Sequence, residues 1–212
     1  KVKMEPIWDW NLSFGNASGK NGWEPEEWYT TELRSTEYLW FPRLFQDPDF
    51  EQKYIDRWGA LRTNVFAASN ILARVDEMAL LLNEAQDRNF KRWPIIGRYV
   101  HPNYYVGKSY ADEVRWMKNW IKMRITWIDR QFLQAPVASL GKGKESANRQ
   151  LTLSATGGKI YFTASGADPR LPGGKIAPDA KVYSTPITLA KDGKLMARVL
   201  AGNRWSSPTL VD

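Results

Sequence analysis

From Ser109 to Pro136 the apolar residues Val114, Met117, Ile121, Ile125, Ile128 and Phe132 recur every three or four positions, with no glycine or proline between them. A stripe of that period, roughly 25 residues long, is the mark of one long amphipathic helix, and its broad apolar face requires a partner surface. Ser109 is placed to cap its start and Pro136 to end it. Trp116, Trp120 and Trp127 lie beside the stripe, so Trp120 and Trp127 are expected in the core. Two further helices are predicted upstream to share that core. Asp47-Pro48 reads as an N-cap followed by proline at the first helical position, and Phe50, Tyr54, Trp58, Leu61 and Val65 supply one apolar face. Ser69 is read as the opening of the next helix, which carries Leu72, Val75, Ala79, Leu82 and Ala85 and runs to Pro94. Before these, Lys3 to Trp10 alternates as a strand does, and Gly15 to Gly22 reads as a loop.

Beyond Pro136 the period changes. Residues 135–150 are rich in Gly, Ser and Lys and read as a linker. Leu151 to Ala155, Lys159 to Ala164, Lys181 to Tyr183 and Leu195 to Leu200 are short strand-like runs set between Gly, Pro and Asp turns. Charge and aromatic content divide at the same place. Residues 1–134 hold 19 basic and 18 acidic side chains and ten of the eleven tryptophans, whereas residues 135–212 hold 11 basic and 5 acidic. The expectation is an α+β chain: a mostly helical region over 1–134 with a small sheet remnant, a linker over 135–150, and an antiparallel β-sandwich over 151–212.

Several chemistries are excluded. The absence of cysteine removes thiolate catalysis, disulfides and Cys-ligated zinc. No apolar run reaches the length of a membrane-spanning helix. The lysines of the tail are scattered rather than clustered with stacking aromatics, which argues against a nucleic-acid partner. Gly107-Lys108-Ser109 imitates the end of a phosphate-binding loop, but Pro102 stands where that motif needs glycine. His101 is the only histidine and no G-x-S-x-G elbow accompanies it, so it reads as a surface or packing residue.

The most distinctive segment is Ile7-Trp8-Asp9-Trp10-Asn11-Leu12-Ser13-Phe14-Gly15-Asn16. It resembles the W-D-x-D/N-x-x-F-G signature of the spore-coat-protein-H (CotH) kinases. Leu44-Phe45, Asp47-Pro48-Asp49-Phe50, Tyr54, Arg57-Trp58, Trp120-Ile121, Arg124 and Trp127-Ile128-Asp129 extend the similarity to about residue 134. The resemblance implies a phosphotransferase in which Asp9 is a metal ligand, analogous to the DFG aspartate of protein kinases. Asn11 would be a second ligand, holding Mg²⁺ or Mn²⁺ against nucleotide phosphates. In the family the basic residue that anchors the nucleotide and a further catalytic aspartate precede this signature. The resemblance thus implies that this chain binds ATP only with the upstream lobe present and lacks phosphotransfer activity on its own.

The tail carries a second resemblance. Lys159 to Thr163, Gly166-Ala167-Asp168-Pro169-Arg170, Gly173-Gly174, Ala180, Tyr183, Pro186-Ile187, Ala197-Arg198 and Trp205-Ser206 look like the pattern of chitobiase/β-hexosaminidase C-terminal-type domains. Ala164-Ser165 and Ala167 depart from its usual turn residues. The resemblance implies an immunoglobulin-like accessory module without catalytic residues, attached to secreted or surface proteins of bacteria. In it Asp168-Pro169-Arg170 is a turn, with Arg170 held by local acceptors.

Two other functions stay open at this level. Trp8, Trp10, Trp23 and Trp28 are candidates for stacking on sugar faces, with a polysaccharide or cell-surface glycan as partner of a binding or scaffold protein. The same rings beside Glu5, Asp9, Glu24, Glu26 and Glu27 also permit a glycoside hydrolase.

Overall fold

The structure, a computed structural model, describes residues 12–28, 40–141, 148–190 and 193–212. The strand expected over Lys3 to Trp10, and with it the sheet remnant, lies outside the described residues. The chain is α+β, with helices in its N-terminal part and antiparallel sheets after them. It groups into two compact units, one of residues up to Glu27 with Val65–Asp129, the other of Trp28–Asn64 with Arg130–Asp212.

In the first unit, the long helix begins at Tyr110 as the stripe predicts, and Ser109 Oγ accepts from Asp112 N at 3.1 Å. This helix (Tyr110–Gln131; α5 in chain order) buries Trp120, Ile121, Ile125 and Ile128. Trp127 is only half-buried, with the Arg124 guanidinium 5.1 Å above its ring. Its expected burial is thus corrected: the ring lies at the margin of the stripe, where a cation covers it. Upstream, the single helix predicted from Ser69 to Pro94 is two, α3 (Ala68–Leu81) and α4 (Asn83–Arg92). The break falls at Leu82, ahead of Asn83 and its poor helix propensity. Ser69 lies inside α3 rather than capping it, since Ala67 holds the cap position without a side-chain bond. Lys118 on α5 pairs with Asp76 on α3 at 2.5 and 2.6 Å, and the Tyr110 hydroxyl donates to Ala79 O at 3.3 Å.

The second unit joins two helices to the sheets. These are α1 (Trp40–Leu44) and α2 (Pro48–Arg62), and Asp47 caps α2 as expected by accepting from Asp49 N at 2.9 Å. The predicted apolar face of α2 is only part of its packing. Phe50 and Tyr54 meet Phe45, and Tyr54 meets Trp28 and Phe132, in an edge-to-face cluster, but Tyr54 stays 36% exposed and Val65 lies beyond the helix. The one buried residue of α2 is Gln52, because the side turned to the sheets is polar.

Among the described residues, eight antiparallel strands form the sandwich: β1 (Val137–Leu140), β2 (Asn148–Ser154), β3 (Lys159–Thr163), β4 (Lys181–Val182), β5 (Ile187–Ala190), β6 (Leu195–Ala201), β7 (Arg204–Trp205) and β8 (Thr209–Val211). One sheet runs β1-β2-β5; the other runs β4-β3-β6-β7, with β8 also on β6. Alternate residues Leu151 and Leu153, Ile160 and Phe162, and Leu195, Ala197 and Val199 point between the sheets and make the core with Leu189 and Val211. The run read as a linker contains a strand, since Val137–Leu140 pairs with Leu151–Ser154. A sheet edge supplies partners for its backbone groups that the sequence does not reveal.

Candidate functional site

Asp9 and Asn11, the expected metal ligands, and Trp8 and Trp10 lie outside the described residues. The structure does describe the C-terminal end of their signature, from Leu12 onward, and what fixes it. Gly15 is buried at φ +86°, and a Cβ there would lie 2.2 to 2.5 Å from the Trp120 indole. Only glycine tolerates both the backbone conformation and that approach. The next residue is fixed as firmly: Asn16 Oδ1 accepts from Tyr104 N and Tyr105 N, each at 2.9 Å. Ser18 N donates to Pro102 O at 2.7 Å. Further along, Trp120 Nε1 donates to Trp23 O and Arg124 Nη1 to Pro25 O, each at 2.8 Å, and Arg124 also reaches Glu27 O. The segment from Gly15 to Glu27 is therefore attached at both ends to α5, and between them to the loop at 102–105.

Of the stacking candidates, Trp23 lies face to face with Tyr104 at 4.5 Å and 9°. Trp28 belongs to the other compact unit, where it packs on Tyr54 and Phe132. Glu24 accepts from Glu26 N at 3.2 Å and so closes a turn. Among the described residues no group of three acidic or histidine side chains is arranged to hold a metal ion.

The phosphate-loop imitation is spent on its own helix. Gly107 N donates to Glu113 Oε1 at 2.6 Å and Lys108 N to Asp112 Oδ2 at 2.9 Å, so carboxylates occupy the amides an anion would need. The Lys108 amide, and then the Tyr105 hydroxyl, hold Asp112 below the usual carboxylate range, while burial and Asp112 push Tyr105 up. His101 is exposed, its Nδ1 3.4 Å from the Tyr99 hydroxyl.

The sequence did not reveal the buried charges of the second unit. Arg198, 2% exposed, lies between Asp56 of α2 and Asp168. Burial pulls its guanidinium down, but the bonds it donates to the two carboxylates outweigh this and hold it above its ordinary value. Asp168-Pro169-Arg170 is a turn closed by Arg170 N on Asp168 Oδ1 at 2.9 Å. Arg170 finds one acceptor locally, Leu171 O, and stronger ones on α2, at Asp49 (2.7 Å) and Pro48 O (3.1 Å). The available signal was the spacing of Asp49, Gln52, Asp56 and Gly59, which puts four small or polar residues on one helix face.

Fold and site together define an α+β chain in which a tryptophan-rich helical region carries a loop pinned to its longest helix, and an antiparallel sandwich follows. The model of the CotH kinase protein family matches residues 1–128, more than half of the chain, and the chain belongs to that family. No curated protein and no solved structure gives a significant match.

Proposed function

We propose that residues 1–128 form the metal-ligand side of a CotH-type phosphotransfer site, with Asp9 as the principal ligand and Asn11 as the second. The observation that carries this reading is the family match, which spans the whole signature. The donor set fits the group: a carboxylate and an amide oxygen are hard ligands, suited to Mg²⁺ or Mn²⁺ rather than to a thiophilic metal. Bound there, such a cation would neutralise charge on nucleotide phosphates. The chain's own contribution is to hold the loop. Gly15 against Trp120, and Asn16 on the Tyr104 and Tyr105 amides, fix the described end of the signature. The test is Mn²⁺ binding by the full chain with and without ATP, followed by electron paramagnetic resonance. Asp9→Ala should lose the bound signal with an unchanged circular dichroism spectrum; equal binding by parent and variant refutes the assignment. Label transferred from ATP to an acceptor and abolished by Asp9→Ala would extend the reading from metal binding to catalysis.

The sandwich supports a second reading, as a chitobiase C-terminal-type accessory module of a secreted or surface protein with a polysaccharide partner. Residues that carry that resemblance are structural in the fold: Asp168 closes its turn, and Trp205 Nε1 donates to Gly174 O at 2.9 Å. Co-sedimentation with insoluble chitin or cell-wall polysaccharide tests it, and a chain left wholly in the supernatant with both refutes the glycan partner.

A further inference from the structure

Strand β6 is buried on both sides at its centre. Leu195, Ala197 and Val199 face the sandwich core, yet Arg198, which points the other way, is equally hidden. What covers it is α2. Arg198 Nη1 and Nη2 bond Asp56 at 2.6 and 2.9 Å, Nε and Nη2 bond Asp168 at 2.7 Å each, and Nη1 also donates to Ser206 O at 2.8 Å. All five guanidinium N–H donors are thereby used. Gln52 adds bonds to Asp56 (2.8 Å) and Ser206 O (3.2 Å). At one end of the contact Asp49 pairs with Arg170 and accepts from Gly173 N at 2.9 Å. At the other, Gly59 comes so close that a Cβ there would meet Ser207 Oγ at 2.5 Å and Ser207 Cβ at 2.7 Å. Positions 49, 52, 56 and 59 form one stripe along the helix.

We infer that Arg198 of β6, with the turn at 168–173 and the loop at 206–207, forms a helix-recognition surface, that its occupant is α2 of the same chain, and that Asp49, Gln52, Asp56 and Gly59 are what it reads. The contact is polar where a helix docking on a sheet is usually apolar, and that difference sets register. Sliding the helix by one turn, about 5.4 Å, would take Asp56 away from Arg198 and leave a buried cation short of acceptors. An apolar face would tolerate the slip. Arg198 is the stronger lock, because Arg170 leaves its buried Nε without a partner among the described residues. The sandwich thus holds in place a helix that lies within the family-matched range.

Hydrogen exchange of the full-length protein, resolved by peptide, tests this. In a helix that only had to be helical, Gly59→Ala would slow exchange of residues 50–62 by roughly fivefold through better helix propensity. Docking at the observed approach predicts the reverse, exchange about tenfold faster over α2, with β3 and β6 unchanged. Adding Ser207→Gly should reverse that loss, because it removes the obstructing atoms. Asp56→Asn should also speed exchange in α2, by tenfold or more as an order of magnitude, without touching Gly59. Slower or unchanged exchange in Gly59→Ala overturns the inference, as does Asp56→Asn without effect, or a rise spread evenly over α2 and the core strands.

Discussion

Replacing Trp120 tests the packing that fixes the signature loop. The side chain is 7% exposed, its Nε1 donates to Trp23 O, and its ring lies under Gly15. Truncating a buried tryptophan to alanine costs about 3–5 kcal/mol, and the orphaned Trp23 carbonyl adds about 1 kcal/mol. Trp120→Phe keeps much of the apolar contact and loses the bond, so it should cost about 1–2 kcal/mol. Gly15→Ala meets two obstacles, an unfavourable positive φ costing about 1–2 kcal/mol and the collision with the indole. Only the second depends on Trp120. In a Trp120→Ala background the collision vanishes, so the double variant should be less destabilised than the sum of the singles by about 1–3 kcal/mol. Urea unfolding followed by far-ultraviolet circular dichroism measures the parent and all four variants without relying on the fluorescence of the ring removed. Trp120→Ala within about 1 kcal/mol of the parent would contradict its burial. Additivity within about 0.5 kcal/mol would contradict the contact with Gly15.

Arg198→Met leaves Asp56 and Asp168 without their shared cation and should cost about 1–3 kcal/mol, read as a lower urea midpoint, since both carboxylates keep some contact with solvent. A midpoint unchanged would mean that the pairs contribute nothing net. Asp49 is held below its ordinary range, first by its bond from Arg170 and then by that from Gly173. Its folded pKa is below the unfolded one, so its contribution is present above about pH 4 and lost as pH falls through the folded value. The melting temperature of Asp49→Asn should accordingly converge on that of the parent in acid, and a constant gap down to about pH 2 would refute the sign. Trypsin should cut first between Leu140 and Arg149, at Lys142 or Lys144, where the chain has little apolar surface to bury. First cuts within α5 would refute that order.

What was legible in the sequence followed the hydrophobic period and the caps. The stripe from Val114 to Ile128 and the Asp47-Pro48 and Ser109 starts appear where they were expected, because local preference and burial agree there. Strands β2, β3 and β6 were legible for the same reason, whereas β5 and β8, which add Leu189 and Val211 to the core, were not read. Nor was β1, since Val137–Leu140 becomes a strand only through its partner β2, and α2 was read by its aromatic side because periodicity counts apolar residues. The side it turns to the sandwich carries Gln52, buried, and Asp56, half-buried, which look like solvent-facing residues until Arg198 is placed opposite. At the site, Gly15 announced itself through the signature. Asn16 did not, because its partners are backbone amides 88 and 89 residues away and amides leave no trace in side-chain identity.

The charged contact of α2 bears on how the two sequence resemblances meet. The family match ends at residue 128 and the sandwich follows, which suggests a division at that point of the chain. Packing draws a different line, since α2, well inside the match, groups with the sheets and is bonded to β6. A buried arginine between two carboxylates is a poor source of net stability, because desolvation consumes most of the attraction. It is a strong source of specificity, since every misplacement leaves the buried guanidinium short of acceptors. A helix with Phe50, Tyr54 and Trp58 on one side could bury apolar surface in several orientations, and the opposing stripe of Asp49, Gln52 and Asp56 admits only one. The energetic role of the sandwich toward α2 is thus to choose a register rather than to supply burial, and a choice of register is what a helix carrying part of a family's fold requires from a neighbour outside it.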